Sequence, residues 1–142
     1  FSTDLKFFKR SGRVSGAAAT VATILGICPI MHLDYDGRIK IMHLDYDGRI
    51  IAYDKVRGKT AAINRTVKEV LTHAKGGRDY NGKMFISQSN CLEDAKRTAE
   101  AIEKEIPAVK GKIKIFNIGT IIASHSGPGT VAVYFMGDER TH

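Results

Sequence analysis

His125 stands in a run of hydroxyls and glycines, Ser124-His125-Ser126-Gly127-Pro128-Gly129-Thr130, just after the segment Asn117-Ile-Gly-Thr-Ile-Ile-Ala. Glycines flanking a proline turn the backbone sharply and aim successive N–H groups at one point, the geometry of an anion nest. Ser126, Gly127, Gly129 and Thr130, with the His125 imidazole, are therefore candidates to bind a small anion, either a carboxylate or a phosphate. The same Gly-Pro-Gly between apolar runs also reads as a tight turn without a ligand.

Other chemistry is poorly supplied. Ser87, Ser89 and Cys91 have no base nearby in sequence, and no acid–base pair or Walker-type loop is present, so nothing demands an enzyme. His32-x-Asp34-x-Asp36 and its copy His43-x-Asp45-x-Asp47 place three possible metal ligands on one strand face. The Asp-Gly that follows each makes a hairpin turn the better reading, and no Cys/His set has zinc spacing. No cofactor and no metal are expected. His73, near a helix end, suits support of the helix dipole.

The elements that must position His125 follow from periodicity. Ser2, Thr3 or Asp4 caps a short helix through Arg10, and a second, Ala-rich helix is expected from Ser15 to about Leu25, with Pro29 releasing the chain into strands. Ile63, Val67, Val70, Leu71 and Ala74 form the apolar stripe of a helix over Thr60–Lys75, stopped by Gly76-Gly77. Lys83–Gln88 reads as a strand. Asn90 with Glu93 reads as a capping box opening a helix to about Ile106, with Leu92, Ala95, Ala99, Ile102 and Ile106 inward. Lys112–Asn117 and Thr130–Met136 complete the strands. The expected fold is a two-layer α/β domain of the α+β type, a mixed sheet with helices packed on one face.

Ile30–Ile39 recurs without change as Ile41–Ile50, with Lys40 between. Each copy reads as strand, Asp-Gly turn, strand. Since an added strand would reverse the chain downstream, one copy is expected to form the hairpin and the other to loop out or join an edge.

At 142 residues the chain fits one domain with a real core. No apolar run approaches the roughly 18 residues of a membrane span, and the start shows no signal peptide, so a cytoplasmic place is expected. Cys28 and Cys91 suit reduced thiols. Of the net charge of +7, five units fall between Asp54 and Lys83, where eight bases meet three acids. That patch, with Lys55, Arg57, Lys59 and Arg65 at its start, reads as a solvated face, or as a surface for an acidic protein, an anionic membrane or nucleic acid. Aromatic interleaving for single strands is missing, which speaks against nucleic acid.

Taken together, Leu5 to Ala19 with its Gly12-Arg13-Val14-Ser15-Gly16-Ala17 core, Cys28-Pro-Ile, Gly48 to Lys59, and His125-Ser-Gly-Pro-Gly-Thr130 resemble, in order, the DegV family. These are bacterial fatty-acid-binding proteins, some of which present a bound acyl chain to a fatty acid kinase. The resemblance runs from about Thr3 to Thr141 and corresponds to the C-terminal part of a family member. It implies a non-enzymatic carrier that buries a long-chain fatty acid and presents its carboxylate for phosphorylation toward phospholipid synthesis. By motif match, His125 and Arg13 back the carboxylate, and Arg57, within Lys55–Lys59, lies on the kinase-facing surface. Family members carry one copy of the decapeptide. The family's N-terminal domain, whose hydroxyls hold the carboxylate, is expected to be missing from this chain, which starts at Phe1 without Met. An exposed apolar face and self-association through it are expected in consequence.

Overall fold

The computed structural model describes residues 1–12, 22, 24–33, 39–40 and 54–137. Its main sheet has three strands in the order β6-β5-β7, where β5 is Met84–Ser89, β6 is Lys114–Asn117 and β7 is Thr130–Phe135. Strand β5 pairs parallel with β6, Gln88 beside Asn117, and antiparallel with β7, Ser89 beside Thr130. The sheet is mixed, as expected. The first residues extend it: Val131 N–H donates to the Phe1 carbonyl at 2.9 Å and Thr3 N–H to the Gly129 carbonyl at 3.0 Å.

A second, two-stranded sheet joins β1 (Ile27–Ile30) to β4 (Asp54–Arg57), and a short pair joins β2 (His32–Leu33) to β3 (Ile39–Lys40). The latter is the hairpin expected of the first decapeptide copy. The second copy lies outside the described residues, as do the Asp34/Asp36 and Asp45/Asp47 positions, Arg13 and most of the helix expected over Ser15–Leu25. Pro29 lies inside β1 rather than before it. It lacks an N–H but sits in a two-stranded edge pair, where a missing donor is tolerated.

Helix α1 (Lys6–Arg10) starts where the Asp4 carboxylate accepts from Lys6 N–H at 2.9 Å. The 15-residue α2 (Lys59–His73) buries Ala62, Ile63, Val67 and Val70, and α3 (Leu92–Glu105) buries Ala95, Thr98, Ala99 and Ile102. Helix α2 packs on the β1–β4 pair, α3 packs on β5, and the two helices pack on each other, giving one helical layer. The expected α3 stripe fails in its first turn. Leu92 is 47% exposed, and Asp94 is buried instead, because Lys59 reaches it at 2.7 Å. The capping box fails too. Asn90 adopts φ +50°, Cys91 becomes the N-cap residue, and its N–H is met by Gln88 Oε1 at 2.6 Å.

Side chains alternate across β5. Met84 and Ile86 are 2% and 0% exposed under the helical layer, while Phe85 and Ser87 face the other way, only half-buried.

Candidate functional site

β5 and β6 end side by side, Gln88 beside Asn117, and each is followed by a loop that leads into a helix. Helix α4 (Thr120–Ser126) leaves β6 through Ile118-Gly119 and runs into the turn that starts β7. His125 lies half-buried in its last turn, and its carbonyl accepts from the Ser11 hydroxyl at 3.4 Å. Helix α1 packs against α4.

The turn brings Ser126, Gly127, Gly129 and Thr130 together beside His125, but their donors have partners inside the chain. Gly127 N–H donates to the Ala123 carbonyl and Gly129 N–H to the Ser89 carbonyl, both at 2.8 Å. The Ser126 hydroxyl donates to the Ile122 carbonyl at 2.9 Å, and the Thr130 hydroxyl lies 3.1 Å from both the Ser126 carbonyl and Ser2 Oγ. The glycine N–H groups expected to aim at an anion are thus engaged in fixing the turn. Glycine is needed here for space as well as for conformation. Gly127 and Gly129 have φ +74° and +81°, and a Cβ on them would strike the Phe7 ring and Thr3 Oγ1 respectively. Among the described residues no hydrogen bond engages the imidazole of His125, which is half-buried.

Apolar surface adjoins it. Ile121 and Ile122, on α4, are 76% and 50% exposed, and Phe116 at the end of β6 is 52% exposed. The Phe116 ring lies 6.1 Å from that of Phe85.

Beyond the end of β5, Lys59, Gln88, Asn90, Cys91, Glu93 and Asp94 line an open groove of about 350 Å³ that does not include His125. Cys91 donates through its thiol to the Thr130 carbonyl at 3.3 Å, and burial pushes both the Cys28 and Cys91 thiols up. Both cysteines are free thiols. Among the described residues no group of three His, Cys, Asp or Glu side chains could hold a metal ion, and no helix is long and apolar enough to cross a membrane.

The basic segment divides on inspection. Lys55 and Arg57 alternate with Val56 on β4 and are exposed. Lys59 is tied to Asp94, and Arg65 bridges Asp54 and Glu69, its guanidinium holding the Asp54 carboxyl below the usual carboxylate range. Arg78 pairs with Glu105 at 2.5 Å. Two of the five excess charges, on Lys59 and Arg78, are therefore met by acids from outside the segment.

The model of the DegV family of uncharacterised proteins matches residues 2–138. This chain belongs to the DegV family. A DegV domain-containing protein of Clostridium perfringens is 32% identical over 141 residues, 99% of this chain and 43% of its own length. The fatty acid binding DegV family protein of Streptococcus agalactiae has the same fold with a TM-score of 0.63 and 26% identity, over 93% of this chain and 41% of that one. The Streptococcus pneumoniae fatty acid kinase B3 protein, solved loaded with linoleic acid, shares the fold at 19% identity and a TM-score of 0.58, over 86% of this chain and 37% of that one. The chain spans about two-fifths of the length of the curated DegV relatives it matches.

Within this DegV fold the sequence reading missed Gln88 and Asp94. Gln88 had a legible signal, a polar residue at the inward register of Met84 and Ile86. Asp94 had none, since its partner Lys59 is 35 residues away.

Proposed function

We propose that this chain is part of a non-enzymatic fatty-acid carrier in which His125, with Arg13, meets the carboxylate while apolar surface beside it takes the acyl chain. The observation that carries the reading is the composition of α4. Ile121 and Ile122 precede His125 by four and three residues, so the three share one side of the helix, and both isoleucines face solvent. An imidazole beside exposed isoleucines matches an ionised head on an apolar tail. A carboxylate leaving water needs such a charge-assisted donor to offset a desolvation cost of several kcal/mol. Family membership and the fatty acid binding Streptococcus agalactiae relative support the same ligand class.

In this reading Ser126, Gly127, Gly129 and Thr130 fix the turn that holds the imidazole at the carboxylate. Lys55 and Arg57 face a fatty acid kinase, with Lys59 and Arg65 shaping the edge of that surface. The kinase phosphorylates the presented carboxylate toward phospholipid synthesis, and the carrier supplies no catalytic group. The rest of the relatives' length supplies a second domain, with the hydroxyls that hold the carboxylate and the other wall of the acyl site.

Titration of a fluorescent acyl probe tests this, on the 142-residue chain alone and on the same chain joined to the remaining sequence of the Clostridium perfringens relative. The joined form should bind tightly and the chain alone weakly. In the joined form His125→Ala should weaken binding by about tenfold to a hundredfold, the loss of a donor to a charged group worth ~1.5–3 kcal/mol. No acyl binding by the joined form, together with DNA binding that falls steeply with salt, would replace the reading.

A further inference from the structure

Among the described residues, the loops at both ends of α4 and the loop between β5 and α3 are fastened to the last residues of β5, and Gln88 holds two of these three. Its side chain is buried, 6% exposed, at the end of an otherwise apolar inward row. A buried amide must satisfy both its ends, and this one does. Gln88 Oε1 accepts from Cys91 N–H at 2.6 Å, which closes the β5–α3 loop. That backbone donor fixes the amide orientation, leaving Nε2 to donate to Asn117 Oδ1, also at 2.6 Å. The Gln88 carbonyl then accepts from Ile118 N–H at 2.8 Å. Asn117 and Ile118 lead directly into α4, which has only seven residues and no side-chain cap at its start. A helix this short does not hold itself, so its place depends on its packing against α1 and on what anchors its two ends. The far end is tied by Gly129 N–H to the Ser89 carbonyl. The near end is tied by Gln88.

We infer that Gln88 is a positioning residue for the ligand site on α4: its amide, bonded to Asn117 and to the Cys91 N–H, fixes the β6–α4 loop and so the placement of Ile121, Ile122 and His125. The inference rests on the fatty-acid reading only for what α4 contacts, and its first test needs no ligand.

The test is amide hydrogen exchange on the 142-residue chain, comparing α4 with α2. Gln88→Glu keeps an acceptor for Cys91 N–H and lets the Asn117 amide turn round and donate. Asn117→Asp keeps an acceptor for Gln88 Nε2. Each single variant should hold the Ala123 and Gly127 amides within about threefold of the parent's protection, since the bonds are reformed. The double variant Gln88→Glu/Asn117→Asp sets two acceptors face to face, and protection in α4 should fall by about tenfold or more while Val70 and Ala74 in and after α2 keep theirs. Rescue in the singles and loss in the double is a pattern that side-chain packing alone does not produce. Equal α4 protection in the singles and the double overturns the inference. If the double variant also loses α2 protection, the uncharged Gln88→Met chain decides: loss confined to α4 upholds the clamp, and no loss there overturns it. Acyl-probe titration of the joined form separates the two ideas. Loss of α4 protection with unchanged acyl affinity upholds the clamp and overturns the placement of the acyl ligand on α4.

Discussion

On one side of the β6-β5-β7 sheet Met84 and Ile86 are 2% and 0% exposed beneath α3, whereas on the other Phe116 and Tyr134 are 52% and 43% exposed. Both sides are built from the same strands, alternate residue by alternate residue, and both carry large apolar side chains. A sheet with one face meant for water alternates apolar with polar residues. Here the second face holds Phe85 between Tyr134 and Lys114, and Ser87 beside Phe116, so large aromatic side chains stand partly in water among polar ones. The covered face accounts for the fold, while the open face, together with Ile121 and Ile122 on α4, is where the proposed acyl chain and second domain would remove apolar area from water.

The largest expected effect separates the two faces directly. Ile86→Ala should destabilise the chain by about 2–5 kcal/mol through lost burial and the cavity left behind. Phe116→Ala, half in water already, should change stability by less than about 1 kcal/mol while weakening acyl binding by the joined form. Urea denaturation measures the first and probe titration the second. Equal stability losses at the two sites would mean that the open face is already packed. A smaller loss, about 1–3 kcal/mol, is expected for Gly129→Ala, from a left-handed backbone and the collision with Thr3 Oγ1. That substitution acts through the turn beside His125, so acyl binding should fall along with the melting temperature; binding that survives would show that the turn does not place the imidazole.

The covered face was legible in the sequence because burial writes itself as periodicity. Ile63, Val67 and Val70 marked α2, and Ala95, Ala99, Ile102 and Ile106 marked α3, all of them buried as expected. The three strands of the main sheet lie within two residues of the expected bounds, and the mixed sheet with helices on one side follows from them, whereas β1 and β4 carry no alternation that marks them. What escaped was set by partners distant along the chain. Gly127-Pro128-Gly129 reads locally as a cradle for an anion, yet the Gly129 N–H is taken by Ser89, which arrives from another strand. Leu92 belongs to the α3 stripe by spacing, but in that first helical turn it is Asp94, paired with Lys59, that is buried. His125 is legible from its motif, whereas Gln88, which ties down its helix, shows only as a polar residue at the inward register of β5, and its partners Cys91 and Asn117 come from two different loops.

The smallest stability effect is expected on the second sheet, where the same two-faced logic recurs. Val56 on β4 packs against the core while its neighbours Lys55 and Arg57 are exposed. Lys59, two residues on, is bound to Asp94, whose side chain is only 8% exposed. Lys59→Met should therefore lower stability by about 1–2 kcal/mol, because a buried carboxylate loses its partner. Arg57→Glu should leave stability within about 0.5 kcal/mol, as for most surface substitutions. What it should change is the encounter with a fatty acid kinase: rim charges act mainly on association rate and its salt dependence, so the association rate should drop at low salt and the difference should shrink as salt rises. Stopped-flow association measured across ionic strength, beside acyl-probe affinity, distinguishes the outcomes. Unchanged rates at every salt concentration would reduce Lys55 and Arg57 to solvated surface, and a fall in acyl affinity would place Arg57 at the ligand rather than at the partner.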